Sequence, residues 1–248
     1  MAGEVIYGIR AVEEALRAEG RVNRLYIAKE SHARESRLLV DLAREGRIRF
    51  DYVPQAKLNE LTGTWEHQGV AAEVSPVGYI SLEHCLEKAG RFSRLLALDQ
   101  VQHSRNVGMI LRAAWGAGAG GVLLAARGGA LLDDTVTRSS AGGVFHVPVV
   151  NSMNIAQSLR RVRDEGYWVY GLDGGGKEDI FEVSWPERVV LVAGNETGGL
   201  RPGVIKACDT TVRIPLAVGV DSLNVAIAAS IALFQVAHAH QVIEKESG

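Results

Sequence analysis

Three groups of polar residues follow apolar segments of this chain, and their side chains could bind and polarise a ligand. Asn106 and Arg112 lie in the first group, Glu196 in the second, and Ser222 and Asn224 in the third. An arginine can bind a phosphate or stabilise negative charge developing on an oxygen, while a carboxylate and amides can orient the reacting groups. Each residue also has an ordinary explanation, since an isolated arginine often forms a surface ion pair and a serine before a helix often caps it.

The elements around these groups alternate between apolar segments and helical patterns. The predicted strands are residues 95–98, 122–125, 146–150, 168–172, 189–193 and 211–214, and the predicted helices are residues 106–117, 134–140, 155–165, 202–207 and 222–242. The uninterrupted apolar segment 189–193 indicates burial on both faces, which predicts an α/β fold with a mainly parallel sheet between helix layers. Since ligands bind beyond the carboxyl ends of such strands, the three polar groups are expected to meet there.

The glycine-rich segments of the chain have different roles, depending on whether they follow a predicted strand or a predicted helix. Residues 194–200 follow a buried strand and precede a helix, so Gly194 is expected to let a ligand approach the backbone. The run at 116–121 closes a helix and precedes a strand, the reverse of a phosphate-binding loop, and predicts a helix cap and turn. This order excludes a nucleotide-dependent dehydrogenase. Residues 174–176 are predicted to form a flexible loop.

The chain is expected to contain two domains. Residues 1–74 carry their own pattern, with helices at 9–18, 35–45 and 55–61 and strands at 24–28, 48–52 and 70–74. Residues 75–93 are predicted to be a linker, and residues 94–248 a larger α/β domain.

Composition limits the class of protein without identifying it. The net charge of −2, with 47% hydrophobic and 23% charged residues, is typical of an ordinary globular protein and does not by itself indicate RNA binding. Two cysteines are too few for a disulfide framework or a metal cluster, and we expect no metal. No apolar run reaches the roughly 18 residues that a membrane span needs, and the first residues do not resemble a signal peptide. We therefore expect no membrane association and a cytoplasmic location.

The three polar groups together resemble the SpoU branch of the SPOUT class of RNA 2′-O-methyltransferases. Residues 106–112 match its N-x-G-x-x-x-R motif, residues 191–200 its second motif, and residues 214–225 its third. Leu216 replaces the usual methionine and Val218 a glycine, with Gly219 one place later. The N-terminal segments 7–12 and 67–70 are similar to the recognition domain of bacterial 23S rRNA guanosine-2′-O-methyltransferases.

The resemblance implies a fold, a cofactor and residue roles. The C-terminal SPOUT domain would contain a deep trefoil knot, and the small N-terminal α/β domain would have a ribosomal-protein-like RNA-binding fold. The methyl donor would be S-adenosylmethionine. The implied cofactor-binding residues are Gly194, Ile214 and Leu223, and the implied catalytic residues are Arg112, Asn106, Glu196, Ser222 and Asn224. Because a guanidinium keeps its proton in proteins, Arg112 is expected to bind phosphate and stabilise alkoxide charge rather than act as a base. The proton acceptor stays open.

The substrate is expected to be RNA, most closely a guanosine of 23S rRNA, with tRNA as the alternative substrate and a non-catalytic RNA-binding protein as the alternative function. A homodimer is expected as well. Residues 222–242 are apolar over more than one face, including Phe234, so a helix there should be covered nearly all round. The resemblance implies that the partner is a second copy, bound through the catalytic domain.

Overall fold

The computed structural model describes residues 4–18, 20–29 and 34–247, and its N-terminal part forms a separate four-stranded sheet. The elements are β1 (Glu4–Tyr7), α1 (Ile9–Arg17), β2 (Val22–Ala28), α2 (Arg34–Glu45), β3 (Arg49–Val53), α3 (Gln55–Thr62) and β4 (Val70–Val74). The strand order is β1-β4-β2-β3, with β2 and β3 parallel and the other pairs antiparallel. The sequence patterns predicted all of these except β1, which is too short to show a period.

Helices cover both faces of this sheet. On one face α1 and α2 bury Val12 and Leu39 against Leu25 and Ile27 of β2. On the other face α3 buries Leu58. The N-terminal module therefore has its own core on each side of the sheet.

The second half of the segment predicted as a linker packs on the larger module. Helix α4 (Leu82–Glu87) begins after Ser81, whose hydroxyl accepts a 3.1 Å hydrogen bond from the His84 backbone amide. Leu82 and Cys85 of this helix are buried in the core of the larger module, and Ile80 forms a bridge with Val150. This part of the chain is therefore attached to the larger sheet.

The larger module contains a seven-stranded sheet in which every pairing is parallel. Its strands are β5 (Ser93–Leu98), β6 (Gly121–Ala125), β7 (Val149–Ser152), β8 (Trp168–Leu172), β9 (Glu178–Asp179), β10 (Arg188–Ala193) and β11 (Thr210–Arg213), in the order β7-β6-β5-β10-β8-β11-β9. Its helices are α5 (Ser104–Gly116), α6 (Asp134–Ser139), α7 (Ile155–Asp164), α8 (Pro202–Ile205) and α9 (Val225–Ser247). The predicted α/β fold with a mainly parallel sheet is confirmed.

Both faces of this sheet are buried, as the apolar strand 189–193 predicted. Helices α5, α6 and α9 contribute to the core on one face, while α4, α7 and α8 contribute to the core on the other. By length and composition α9 could cross a membrane between Val225 and Ile243, but it packs here against α5, β5 and β10. Its apolar character is explained in part by this core position.

Two local predictions differ from the structure, and a third agrees with it. The strand predicted at 146–150 begins at Val149, because a 3-10 turn, Gly143–Phe145, occupies the preceding chain. The helix predicted at 222–242 begins at Val225, since Asn224 and not Ser222 caps it: its side-chain oxygen accepts a 2.8 Å bond from the Ala226 amide. The glycine run after α5 forms the predicted turn, with Gly118 at φ +63°.

The two modules touch along β1, α1, α6 and the 3-10 turn. The Arg138 guanidinium donates a 3.1 Å hydrogen bond to the Tyr7 hydroxyl and lies 5.2 Å from the centre of the Tyr7 ring. Phe145 packs against the cores of both modules. Gly142, at φ +87°, has no room for a Cβ, which would lie 2.3 Å from the Glu14 Cβ.

Candidate active site

The carboxyl ends of three neighbouring strands, β10, β8 and β11, border an open cavity of about 270 Å³. Its apolar wall contains Leu172, Ala193, Val212, Ile214, Leu216, Leu223, Val225 and Ala228. Its polar lining contains Asp173, Asn195, Glu196, Thr197, Asp221 and Ser222. The second and third sequence motifs therefore meet at one cavity, as their positions beyond strand ends predicted.

The loop after β10 folds back on itself to form part of the cavity. Asn195 and Gly199 exchange two backbone hydrogen bonds of 3.0 Å each. A Cβ on Gly194 would lie 2.2–2.4 Å from backbone atoms of Gly199 and Leu200. Because such contacts are sterically forbidden, glycine at 194 is required by the fold of the loop itself, a reason that the sequence did not indicate.

Asn195 joins this loop to the one after β5, and the sequence analysis did not assign it a role. Its Nδ2 donates a 2.8 Å hydrogen bond to the carbonyl oxygen of Gln100, and its Oδ1 accepts bonds from the amides of Thr197 and Gly198 at 2.9 and 3.1 Å. A polar residue between a buried strand and paired glycines was the available signal. Asn195 fixes the shape of the loop that presents Glu196.

Hydrogen bonds connect the three polar groups predicted from the sequence. Glu196 Oε1 accepts a 3.0 Å hydrogen bond from Asn106 Nδ2, and Asn106 Oδ1 accepts a 3.2 Å bond from Asn224 Nδ2. Asn106 is nearly buried on α5, whereas Glu196 is half-buried at the cavity. The three residues thus form one chain of hydrogen bonds from the cavity to the start of α9.

The electrostatics of Glu196 follow from this network. Partial burial raises the pKa of Glu196, but the hydrogen bond from Asn106 and those from backbone amides, including His103 and Gln102, together lower this pKa by more. The net pKa lies below the ordinary glutamate value. Glu196 is therefore an anion at neutral pH, held as an acceptor for Asn106.

The third motif supplies one wall of the cavity. Ile214, Leu223 and Ser222 line it, as does Leu216, which stands in place of the expected methionine. Val218 is fully exposed, so its side chain adds nothing to the packing of the loop. Gly219 adopts φ +88°, a conformation that favours glycine, one position after the place where the motif usually has one.

Arg112, the last residue of the first motif, lies on α5 outside the lining of this cavity. It projects from α5 with an exposed side chain, is not among the described residues that line the cavity, and has no hydrogen-bond or ion-pair partner in the described part of the chain. Its backbone is closely packed, because a Cβ on Gly143 would lie 3.1 Å from the Arg112 Cα. The structure therefore fixes the helix around Arg112 and leaves its guanidinium free for an anion.

Two carboxylates at the cavity were missed from the sequence. Asp173 directly follows β8 and Asp221 lies in the loop before α9, and both line the cavity with Glu196. The rule that singled out Glu196, a polar residue at the carboxyl end of a buried strand, applies equally to Asp173. These carboxylates make the polar side of the cavity acidic.

Two family models match the chain. The SpoU rRNA Methylase family matches residues 93–234, and the model for RNA 2′-O ribose methyltransferase substrate binding matches residues 5–80. The first match covers more than half of the chain and contains all three motifs. The chain belongs to the SpoU rRNA methylase family, and its N-terminal module is the substrate-binding domain of RNA ribose methyltransferases.

Relatives extend this result over nearly the whole chain. YacO of Bacillus subtilis strain 168, assigned to the TrmH family of tRNA/rRNA methyltransferases, is 30% identical over 236 residues, 94% of each chain. The SpoU methyltransferase AviRb of Streptomyces viridochromogenes in complex with AdoMet has a TM-score of 0.79 and 26% identity, covering 98% of this chain and 91% of that one. An AdoMet-bound rRNA methyltransferase of Sinorhizobium meliloti has a TM-score of 0.77 and 25% identity, covering 96% and 87%. This chain is therefore an RNA methyltransferase that uses S-adenosylmethionine, which confirms the expected cofactor.

The cavity fits this cofactor chemically. Its apolar wall suits an adenine ring, and the carboxylates of Asp173, Glu196 and Asp221 suit the positive charge of a sulfonium and an ammonium group. Among the described residues, no group of three His, Cys, Asp or Glu side chains is placed to hold a metal ion. The residues present are thus those that a cationic, partly aromatic organic ligand requires.

Proposed function

We propose that the protein transfers a methyl group from S-adenosylmethionine to a ribose 2′-hydroxyl of RNA. The observation that carries this proposal is the chain of hydrogen bonds from Glu196 through Asn106 to Asn224, which joins the residues of all three motifs beside the acidic cavity. The cofactor supplies an activated methyl group on a sulfonium. Gly194, Ile214 and Leu223, which line the cavity, would hold it through backbone groups and apolar contacts.

Arg112 would act on the RNA side of the reaction. A ribose hydroxyl is a poor nucleophile until its proton leaves, and positive charge beside the oxygen favours that loss. The exposed guanidinium has no partner among the described residues, so it could bind the phosphate next to the target ribose and stabilise the charge on the oxygen. Glu196, Asn106, Asn224 and Ser222 would orient the ribose and the arginine.

The N-terminal module would select the RNA. We propose residues 1–74 as the recognition domain, 75–93 as the connection and 94–248 as the catalytic domain, with a guanosine of 23S rRNA as the target. The substrate-binding family match at residues 5–80 supports a recognition role for this module. The structural relative from Sinorhizobium meliloti, described as an rRNA methyltransferase, supports the choice of rRNA.

The test is a direct methylation assay. The full-length protein is incubated with labelled S-adenosylmethionine and either unmodified 23S rRNA or unmodified tRNA, and modified nucleotides are mapped by mass spectrometry. The proposal expects a 2′-O-methylguanosine in 23S rRNA. Methylation of tRNA alone would show that tRNA, and not 23S rRNA, is the substrate. Methylation of a base would overturn the proposed ribose reaction. RNA binding without methyl transfer would favour a non-catalytic role.

We also propose a homodimer formed through the catalytic domain. Ile227, Phe234 and Val242 of α9 are partly exposed apolar side chains, as are Trp115 and Met109 of the neighbouring α5. Phe234 lies against α5, since a Cβ on Gly116 would be 3.3 Å from its ring. The helix is apolar on its exposed side as well as on its buried side, which supports a protein partner. Ala229 does not belong to this surface, because it is fully buried in the chain's own core.

The trefoil knot and the cytoplasmic location belong to the proposal as well. The sheet order supports a knot, since β11 lies beyond β8 while the next element, α9, returns to pack against β10 and β5. An RNA substrate supports a cytoplasmic enzyme.

A further inference from the structure

A second open cavity, of about 440 Å³, lies beyond the carboxyl ends of β6 and β7. These strands are on the opposite side of β5 from the strands that border the cofactor cavity. Arg127 and Arg201 line the second cavity, and no carboxylate lines it among the described residues. The exposed Met153 and Asn154, at the start of α7, complete its rim. The two cavities thus differ in charge, the first acidic and the second basic.

Arg201 is held in a fixed position by a buried carboxylate. Asp99 is fully buried, and its two oxygens accept hydrogen bonds from the Arg201 backbone amide at 3.1 Å and from Nε at 2.9 Å. The Arg201 side chain is 48% exposed, and its Nη1 makes no hydrogen bond within the described residues. Asp99 therefore orients the guanidinium while leaving one of its edges available to a ligand.

Arg127 stands on a loop that is also fixed. The preceding Ala126 amide donates a 2.8 Å hydrogen bond to the Ser152 carbonyl oxygen. The following Gly128, at φ +73°, lies so close to Gln100 that a Cβ would be 2.6 Å from its side-chain nitrogen. Arg127 itself is exposed and has no hydrogen-bond or ion-pair partner in the described part of the chain. Its positive charge is therefore not neutralised by the protein.

The segment Asp99-Gln100 connects the two cavities. Asp99 orients Arg201, the Gln100 side chain packs under Gly128, and the Gln100 carbonyl oxygen accepts the bond from Asn195 of the cofactor loop. We propose that the second cavity binds a backbone phosphate of the RNA substrate close to the methylated nucleotide, with Arg127 and Arg201 as its ligands. The unpartnered Arg127 guanidinium and the remaining Nη1 edge of Arg201 both suit a phosphodiester, which offers several acceptor oxygens. The inference rests on the proposed function and adds to it a second anchoring point for the RNA.

The experiment measures RNA affinity of the full-length protein as a function of salt. Filter binding of the unmodified RNA substrate is compared for the wild type, Arg127→Ala and Arg127→Lys. Arg160→Ala is the control. Arg160 is an exposed arginine of α7 outside the cavity lining. Removing one phosphate contact should weaken RNA binding about tenfold and reduce the slope of log K against log salt by about 0.7–0.9. Arg127→Lys should keep most of the slope, and Arg160→Ala should match the wild type.

Other measurements separate the possible failures. Calorimetry should give the same affinity for S-adenosylmethionine in Arg127→Ala and the wild type, because the cofactor occupies the other cavity. If Arg127→Ala binds RNA with wild-type affinity and slope while the wild type methylates it, the phosphate site is refuted and the methyltransferase proposal survives. If the wild type neither binds nor methylates RNA, both proposals fail. Saturable binding of inorganic phosphate at Arg127, with no change in RNA affinity, would assign the cavity to a small anion and overturn the inference.

Discussion

Glu14 and His146 join the two modules: a carboxylate oxygen of Glu14 lies 2.9 Å from the His146 Nε2. The His146 ring also stacks on Trp115, with 4.2 Å between ring centres and 5° between ring planes. Trp115 stands three positions after Arg112 on α5. The contact therefore links the first helix of the substrate-binding domain to the helix that carries the proposed catalytic arginine.

Loss of this contact should affect RNA more than the cofactor. In Glu14→Ala we expect kcat/KM for RNA to fall by about fivefold, the equivalent of one hydrogen bond worth about 1 kcal/mol. The affinity for S-adenosylmethionine should not change, because neither Glu14 nor His146 lines its cavity. Steady-state kinetics and calorimetry measure the two quantities. Glu60→Ala, which removes an exposed partner of Lys57 in the same module, is the control, and an equal loss in both variants would contradict a docking role.

Gly194→Ala should abolish cofactor binding. The new Cβ would lie 2.2–2.4 Å from backbone atoms of Gly199 and Leu200, so the hairpin after β10 could not close. Calorimetry with S-adenosylmethionine measures the loss, and circular dichroism shows whether the rest of the fold remains. In Gly90→Ala the added Cβ meets nothing within 4 Å, and this control should bind normally. Cofactor binding by Gly194→Ala at wild-type affinity would show that the hairpin is not needed.

Arg112→Ala should lower methyl transfer by at least about 10²-fold, the range found when one charge-stabilising donor is removed from an active site. The free energy of unfolding of this variant should differ from that of the wild type by no more than about 0.5 kcal/mol, because the Arg112 side chain is exposed and makes no polar contact with the described residues. Single-turnover methylation and thermal unfolding measure these effects. Arg160→Ala serves as the control, and near-normal turnover of Arg112→Ala would remove the arginine from the mechanism.

Phe234→Glu should weaken the proposed dimer. The side chain is 51% exposed within one chain, so a charge there is tolerated by the monomer but is costly in an apolar interface. Sedimentation velocity at micromolar concentration should show a dimer for the wild type and a larger monomer fraction for the variant. Gln157→Glu on the exposed side of α7 should sediment as the wild type does. A wild-type monomer with full activity would exclude the dimer.

Both cysteines should react slowly with thiol reagents in the folded protein. Burial raises the pKa of the Cys85 thiol to about 11 and that of the Cys208 thiol to about 12. The reactive form is the thiolate, so at pH 7–8 both groups are protonated, and reactivity should increase only as the pH approaches those values. Rates with a disulfide reagent in native and denaturing buffer test this. Fast reaction of either thiol at pH 7 under native conditions would contradict its burial.

Much of the fold could be predicted because its signals are local. The apolar segment 189–193 and the helical periods around it indicated a buried parallel sheet, and the strand ends placed Asn106, Glu196 and Ser222 near one another. The three motifs predicted the SpoU family, and the family match over residues 93–234 confirms it. These predictions succeeded since burial on two faces and strand-to-helix order are properties of short stretches of sequence.

Tertiary structure decided the features that depend on residues far apart in the chain. The hydrogen bond between Glu196 and Asn106 and the pairing of buried Asp99 with the exposed Arg201 each join segments that are far apart in the sequence. The exclusion of a side chain at Gly194 depends on its distance from Gly199 and Leu200, which the sequence pattern does not give. The cap of α9 likewise depends on the tertiary structure, because the helix begins at Val225 and the Ala226 amide donates to the Asn224 side chain rather than to Ser222. Periodicity reports which face of an element is buried, whereas hydrogen-bond partners and charge neutralisation depend on how the elements pack.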